Sequence, residues 1–414
     1  MVMGQGAPSG NFDAVVLGGG PAGLAASILM SGAGLKTACA DPLFRQLRDR
    51  PDSFRDARTI ALLQGAIRML ERIDVWPHMQ ARSAPLWVMR VEDHTERWPG
   101  APAMDFRADE LGDEPFGYNI PMPVIVGALW NRALACDNLE LIDDAAAEIN
   151  IGADAARLTL DSGRIISGRL LAAADGRNSP ARKAAGIKVN RWAYDQTAIA
   201  LTFTHELPHD DTSVEFHRPP GPFTIIPLPG DNSALVWVER PEEARRLMAL
   251  DDEALAAIMQ EHMHGRLGRI THIGPRNAFP VAGLTARDYA ARRTALVGES
   301  AHVLPPIGAQ GLNLGMRDAA LLSELAAEAH RWDGDPGGSE LIAEYDRRRR
   351  RDIFPRTAAV DFLNRSLLFG GFPPLQGLRA LGLTALKSLP ALRRGLMSQG
   401  LVPDEDLPAI MRRA

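Results

Sequence analysis

The chain has almost no cysteine, no excess of positive charge and no long unbroken apolar run. Two cysteines in 414 residues, Cys39 and Cys136, exclude a disulfide framework and a cysteine-built metal cluster. Such scarcity points to a reducing, cytosolic compartment. Lys plus Arg less Asp plus Glu is 46 − 51 = −5, which argues against nucleic acid as a partner. The apolar stretch from Ala14 to Met30 is interrupted by glycines and Pro21 and is rejected as a membrane span. Residues 1–11 are polar and Gly-rich and read as a loose tail, not a signal peptide. There is no internal repeat, no clustered set of metal ligands and no GxSxG elbow.

What is there is an ordinary globular composition, 46% hydrophobic and 23% charged. At 414 residues one compact core is too small, so two domains are expected. Three glycine-bearing segments stand out. The first, Gly18-Gly19-Gly20-Pro21-Ala22-Gly23, follows the apolar run Phe12 to Leu17 and precedes a small-residue helix from Ala22 to Ala33. Gly18 permits a tight turn, Gly20 lets backbone approach a pyrophosphate and Gly23 lets helix pack on strand. The helix N-terminus offers free N–H groups and a positive dipole end. A second strand, Lys36 to Ala40, ends at Asp41, 23 residues after Gly18, where a carboxylate can accept from ribose hydroxyls. Cys39 lies in that strand as a small buried hydrophobe.

The second segment is Asp175-Gly176-Arg177-Asn178-Ser179, after the apolar strand Leu170 to Ala174. The third runs from Gly298-Glu299-Ser300-Ala301-His302 through Gly308 to Asn313, after a strand at Thr294 to Val297. Three such segments so widely separated imply a chain that returns repeatedly to one long cofactor, FAD. Gly308, Gly311 and Gly315 leave backbone uncovered for a flat ring, and the amides of the helix opening near Leu312 suit negative charge on reduced flavin.

Between the motifs, helices are expected at Ile60 to Arg72, Pro123 to Cys136, 241–264, Leu312 to Trp332 and around Leu341 to Ile353. Trp87 and Trp98 fall in a region, 84–108, that suggests strands of a second sheet. Leu139 to Ala173 reads as a meander turning at Asp161-Ser162-Gly163. From Tyr194 to Glu239 short β-rich runs alternate with Pro, Gly and Asp turns, the texture of an antiparallel sheet. The fold class that follows is α/β: a doubly wound FAD-binding domain with a discontinuous chain path, plus a mostly antiparallel β-sheet substrate domain. Residues 12–83, 105–187 and 285–365 are assigned to the first, 84–104 and 188–284 to the second, and 366–414 to a C-terminal helical tail. The five arginines Arg347 to Arg351 read as a solvated face.

The set GGGPAG, DARTIAL, ADGRNSPAR and LVGESAHVLPPIGAQGLNLGMRDAALL resembles the FAD-dependent aromatic hydroxylases of ubiquinone biosynthesis, which are single-component flavoprotein monooxygenases of the para-hydroxybenzoate hydroxylase type. The resemblance covers roughly residues 12–365. It implies hydroxylation of an aromatic ring with O2 through a flavin C4a-hydroperoxide, with NAD(P)H or another electron donor as reductant and no separate NAD(P)H domain. It implies a polyprenylated phenol precursor of ubiquinone as substrate. A hydroxylase of soluble aromatics and a non-catalytic flavoprotein within a quinone-biosynthesis complex are the alternatives.

By the same resemblance Arg58 faces the cofactor near the pyrophosphate, and Asp175-Gly176 lie at the paired FAD and NAD(P)H contacts. Glu299 holds the ribityl chain, where the commoner residue is Asp, and Gly308, Gln310, Gly311 and Asn313 wrap the isoalloxazine. Arg182 could simply pair with Asp175. The sheet face around Ile225, Pro227, Val236 and Trp237 is the expected pocket wall. His302 reads as a hydrogen-bonded structural residue rather than a catalytic base, and no catalytic side chain is assigned. From Leu367 the chain is Leu-rich and basic: it packs on the body, or it touches a partner or the inner face of a membrane.

Overall fold

The computed structural model describes residues 10–49, 54, 56–95, 102–368, 382, 384–400 and 407–413. It contains three sheets. The first carries five parallel strands side by side: β19 (Thr294–Leu296), β11 (Ile165–Ala173), β1 (Gly10–Leu17), β2 (Thr37–Ala40) and β8 (Leu139–Ile142). Ala14, Val15 and Val16 of β1 and all four residues of β2 are buried, as expected of strands covered on both faces. Antiparallel extensions are β9 (Ala146–Ile151), β10 (Ala156–Leu160) and β18 (Ala290–Ala291). The β10–β11 hairpin turns at Asp161 to Gly163, where Gly163 has φ +83°.

The second sheet has nine strands, all but one pairing antiparallel: β20 (His302–Val303), β17 (Asn277–Ala286), β12 (Val189–His205), β15 (Asn232–Glu239), β14 (Gly221–Leu228), β13 (Thr212–Arg218), β5 (Val88–Asp93) and β6 (Met104–Arg107) in spatial order, with β16 (Ile270–Ile273) beside β12. The parallel pair is β13 with β5. Strand β6 runs to Arg107, past the boundary expected at 104. Trp98 lies outside the described residues. Helices α6 (Pro241–Met248) and α7 (Asp252–His262) cover one face of this sheet, packing Ala244, Leu247, Leu255 and Met259 on Phe223, Ile225, Leu235 and Trp237. The expected single helix at 241–264 is therefore two, and Asp251 caps the second by accepting from the Ala254 N–H.

A small third sheet joins β3 (Thr59–Leu63), β7 (Gly117–Pro121) and β4 (Ala84–Pro85). Here the expected helix from Ile60 is corrected. Thr59 to Leu63 pairs antiparallel with β7, and helix α3 (Gln64–Arg72) starts only afterwards. Tertiary pairing overrides the 3.6-residue apolar spacing at the four residues from Ile60 to Leu63.

Around the parallel sheet lie α1 (Pro21–Gly32), α2 (Leu43–Asp49), α4 (Met122–Leu134), α5 (Pro180–Ala184), α8 (Gln310–Arg331) and α9 (Ser339–Leu368). Helix α9 is longer than the arginine-rich segment suggested and continues through Pro355. A last helix, α10 (Pro390–Gly400), buries Met397 against Leu86, Ala108 and Phe116, while Arg393 pairs with Glu110 at 2.7 Å. Leu407 and Met411 join the main core, and Arg72 donates to the carbonyls of Ala409 and Arg412. Met397, Arg393, Leu407 and Met411 thus tie parts of the tail to the body. Among the described residues no helix is long and apolar enough to cross a membrane, and no group of His, Cys, Asp and Glu could hold a metal ion.

Candidate active site

The three glycine-bearing segments, far apart in sequence, are neighbours in space. Leu17 at the end of β1 pairs with Ala173 at the end of β11, which pairs with Leu296 at the end of β19. Each strand runs straight into one motif, so all three open from the same edge of the sheet. Strand order reverses at β1, since β2 lies on one side and β11 on the other. Ligands of doubly wound sheets bind at such a crevice beyond the carboxyl ends of the strands.

Local geometry explains the first motif. Gly18 has φ +112°, and a Cβ there would collide with the Ala174 carbonyl. A Cβ on Gly23 would collide with the Gly18 carbonyl. Both glycines are required by the protein's own packing. Gly20 differs, because nothing stands within 4 Å of its missing side chain and it lines a cavity. It precedes α1, whose N-terminus carries Pro21 and no side-chain cap. Asp41 holds the turn: one carboxylate oxygen accepts from the Gly19 N–H at 2.6 Å and the other from the Leu43 N–H at 2.7 Å.

In the second motif, Gly176 faces the cavity, while Asp175 lies just behind it and accepts from the Ala181 N–H at 3.0 Å in the first turn of α5, whose N-cap is Ser179. Burial pushes the Asp175 carboxyl above its ordinary range, against the opposing pull of Ser179, the Ala181 amide and Arg182. Its second oxygen is buried without a partner. Arg182 does not bond to Asp175 but donates to the carbonyls of Ser300 and Arg177, tying the second motif to the third.

The third motif is fixed from behind by Asp318 of α8. That buried carboxylate accepts from the Gly298 N–H at 2.8 Å, from His302 Nε2 at 2.7 Å and from Arg349 at 2.6 Å. Burial alone would raise Asp318, yet Arg349 and His302 hold it below the usual carboxylate range. His302 is accordingly an anchored residue beside the cavity. Arg349 is buried, so the arginine run is not wholly a solvated face: Arg349 also pairs with Asp352, whereas Arg347 and Arg350 pair at the surface. Asp352 collects Arg317 and Arg356 as well, and burial pushes Arg317 down to about 10.

Gly308 and Ala309 have φ +66° and +55° just before α8. For Ala309 this is a costly conformation of the kind that clusters at ligand sites. It leaves α8 with no side-chain cap, and Gln310, Gly311 and Leu312 border the cavity. The Asn313 side chain is taken up by the chain itself. It accepts from the Leu63 N–H at 2.9 Å and donates to the carbonyls of Ala61 and Ala309 at 2.7 Å each, locking the loop to β3.

The cavity is about 730 Å³ and lies between the motif edge and the second sheet. Arg58 lines it, its guanidinium engaged by Asp56 at 2.6 Å, and Asp56 raises its pKa. Glu299 lines it in an ion pair with Arg177 at 3.3 Å. On the sheet wall, Val236 faces the cavity with Thr224 and Ile226. Ile225 and Trp237 are corrected: both lie in the core under α6 and α7, and Pro227 shares the parity of Ile225 on β14. Successive strand residues alternate faces, so a one-residue error in register moves a side chain through the sheet.

Asn119 escaped the sequence reading. It lines the cavity from β7, and both its side-chain oxygen and nitrogen are buried without partners. A lone amide between apolar strand neighbours was the available signal. Asp56 and Asp318 lie inside the quoted segments DARTIAL and LVGESAHVLPPIGAQGLNLGMRDAALL but carry no role in the sequence reading, since neither segment shows what its carboxylate bonds. Gly20, Gly176, Gly308 and Gly311 all face the cavity with open space where a side chain would be, two uncapped helix N-termini border it, and the Asn119 amide awaits a partner. This cradle fits a long dinucleotide with a flat polar ring.

Known proteins agree with it. Residues 11–356 match the family described as FAD binding domain. Ubiquinone hydroxylase UbiL of Rhodospirillum rubrum is 34% identical over 84% of this chain and 80% of that protein. The 3-demethoxyubiquinol 3-hydroxylase of Escherichia coli is 30% identical over 84% of this chain and 88% of its own length. The crystal structure of p-nitrophenol 4-monooxygenase PnpA from Pseudomonas putida superposes with a TM-score of 0.73, covering 96% of this chain and 99% of that one at 17% identity, a likeness of fold. This chain belongs to the FAD binding domain family and, within it, to the FAD-dependent aromatic hydroxylases of ubiquinone biosynthesis.

Proposed function

We propose that this protein hydroxylates the ring of a polyprenylated phenol precursor of ubiquinone, using O2 and a reductant such as NAD(P)H. The convergence of three strand-end motifs on a cavity walled by an apolar sheet face carries this reading. Bound FAD, once reduced, supplies the activation of O2. Gly18 to Gly23 and the α1 N-terminus would hold its pyrophosphate, with Arg58 nearby, and Asp41 at the end of β2 would meet the ribose. Glu299 would meet the ribityl chain, with Gly176 beside it. Gly308 to Gly311 and the α8 N-terminus would border the isoalloxazine and favour negative charge on its reduced form. Ala200, Ile226, Val236 and Phe279 exclude water and orient the aromatic ring. On this reading residues 12–83, 105–187 and 285–365 serve the cofactor, and 84–104 with 188–284 serve the substrate.

Deleting the gene and profiling quinone precursors by mass spectrometry tests the reaction. A precursor lacking one ring hydroxyl should accumulate, and should disappear when the wild-type gene is restored. A normal quinone profile in the deletion strain would refute it.

A lipid-like substrate must be drawn from a bilayer. Leu392 and Leu396 of α10, with Leu389 just before it, are half-exposed or more, beside Arg394. We assign this stripe to transient contact with an anionic membrane face. Replacing the three leucines with serine should abolish flotation with anionic vesicles while the melting temperature and FAD content hold. Unchanged flotation would remove the assignment.

A further inference from the structure

Glu215 is a carboxylate in an otherwise largely apolar wall. It lies on β13, lines the cavity and is 16% exposed. In its row across the sheet stand Thr224, Val236, Ala200 and Asn277, and Arg90 and Ser213 are the other polar residues of that wall. Thr224, its cross-strand neighbour on β14, has a buried hydroxyl oxygen without a partner. His217, two residues along the same face, donates from Nε2 to Glu215 at 2.7 Å and keeps a buried, partnerless Nδ1.

The nearby cations are engaged elsewhere. Arg90 grips Asp105 through two bonds of 2.6 and 2.7 Å, and Arg266 holds Glu92 at 2.6 Å. Among the described residues His217 is therefore the side chain that hydrogen-bonds Glu215. An ionised carboxylate accepts several hydrogen bonds and donates none. Inside a low-polarity cavity its remaining acceptor capacity calls for an O–H or N–H from the ligand.

Resting on the aromatic-substrate reading above, we propose that Glu215, held by His217, accepts a hydrogen bond from a ring hydroxyl of the substrate. This contact selects the hydroxylated, reduced ring over its ether or quinone form. An ether or quinone oxygen would set lone pairs against the carboxylate and leave both unsatisfied. Sites built to bond a hydroxyl reject the analogue lacking it for this reason. The same contact fixes rotation of the ring in its own plane, and so decides which ring carbon faces the motif edge.

The test uses FAD-loaded full-length protein and the flavin difference spectrum, titrated with 2-allylphenol and with its methyl ether, 2-allylanisole. The wild type should bind the phenol about tenfold more tightly or better. Glu215→Gln should shrink that preference to within roughly threefold, because an amide both accepts from a hydroxyl and donates to an ether. Glu215→Asp keeps the carboxylate and should retain the preference. Equal affinities in the wild type, or an undiminished ratio in Glu215→Gln, overturn the role of Glu215 alone. Should Glu215→Gln lose FAD, the wild-type ratio still decides. If neither compound perturbs the wild-type spectrum, the aromatic-substrate reading fails and takes this one with it.

Discussion

The two walls of the cavity are built by different rules. On the motif edge, function resides in backbone: Gly18, Gly23 and Gly298 sit where a side chain would strike the chain itself or must adopt a positive φ, and Gly20 and Gly308 leave room for a ligand. On the opposite wall, function resides in which of two alternating residues faces inward, as with Ile226 against Ile225. Backbone requirements write themselves into sequence as glycine at fixed spacing. Facing does not, because apolar residues occupy both sides of the second sheet.

The widest separation is expected within the first motif. Gly23→Val should prevent folding, since its side chain meets the Gly18 carbonyl between strand and helix; no folded protein by circular dichroism is the expected result. Gly20→Val has ordinary backbone angles and open space. It should fold with a near-normal melting temperature while FAD affinity falls about 10- to 100-fold, a steric cost of roughly 1–3 kcal/mol. Unchanged FAD affinity in Gly20→Val would break the distinction between packing and ligand glycines.

On the sheet wall the corresponding pair is one residue apart. Ile225→Ala empties the core beneath α6 and α7 and should cost about 2–5 kcal/mol in denaturant unfolding. Ile226→Ala should cost much less and instead alter binding of aromatic ligands with FAD content unchanged. Equal destabilisation would show that the two faces are not distinct.

The motif edge leans on buried charge, and the sheet wall largely does not. Arg349 and His302 hold Asp318 low despite burial, and Arg349, Arg317 and Arg356 do the same for Asp352. A folded pKa below the unfolded value means the unfolded chain binds more protons. The stability these groups contribute is present above about pH 4 and lost as pH falls through their folded values. The melting temperature should therefore drop on acidification from pH 5 downward. Asp352→Asn should lower it at neutral pH and flatten that acid slope; an unchanged slope would exclude Asp352 from it.

The smallest effect is chemical. Burial pushes the Cys39 thiol up to about 12, beside the first motif, while Cys136 is half-buried. A disulfide reagent at pH 8 should label one thiol per native chain and both after unfolding. Rapid labelling of both would mean that β2 opens.

Much of the cofactor end was legible because strand, glycine turn, helix and Asp41 recur in a fixed order. Asn313 was legible as part of a motif but not as a clamp, since its partners Ala61 and Leu63 lie on a strand first read as helix. Asn119 and Glu215 carry no motif, and only their burial beside unpartnered atoms distinguishes them. Arg349 was hidden among four arginines of the same composition and a different environment.

The adjacency of β1, β11 and β19 also sets a schedule. Residues Gly18 to Gly23 emerge from the ribosome early, yet the strands that complete their crevice are translated far later, and Gly308 to Asn313 later still. Closing so distant a set of pairings is slow. The cofactor therefore joins a nearly finished polypeptide, and a chain stalled before Thr294 carries the most recognisable motif in the protein without the means to keep a flavin.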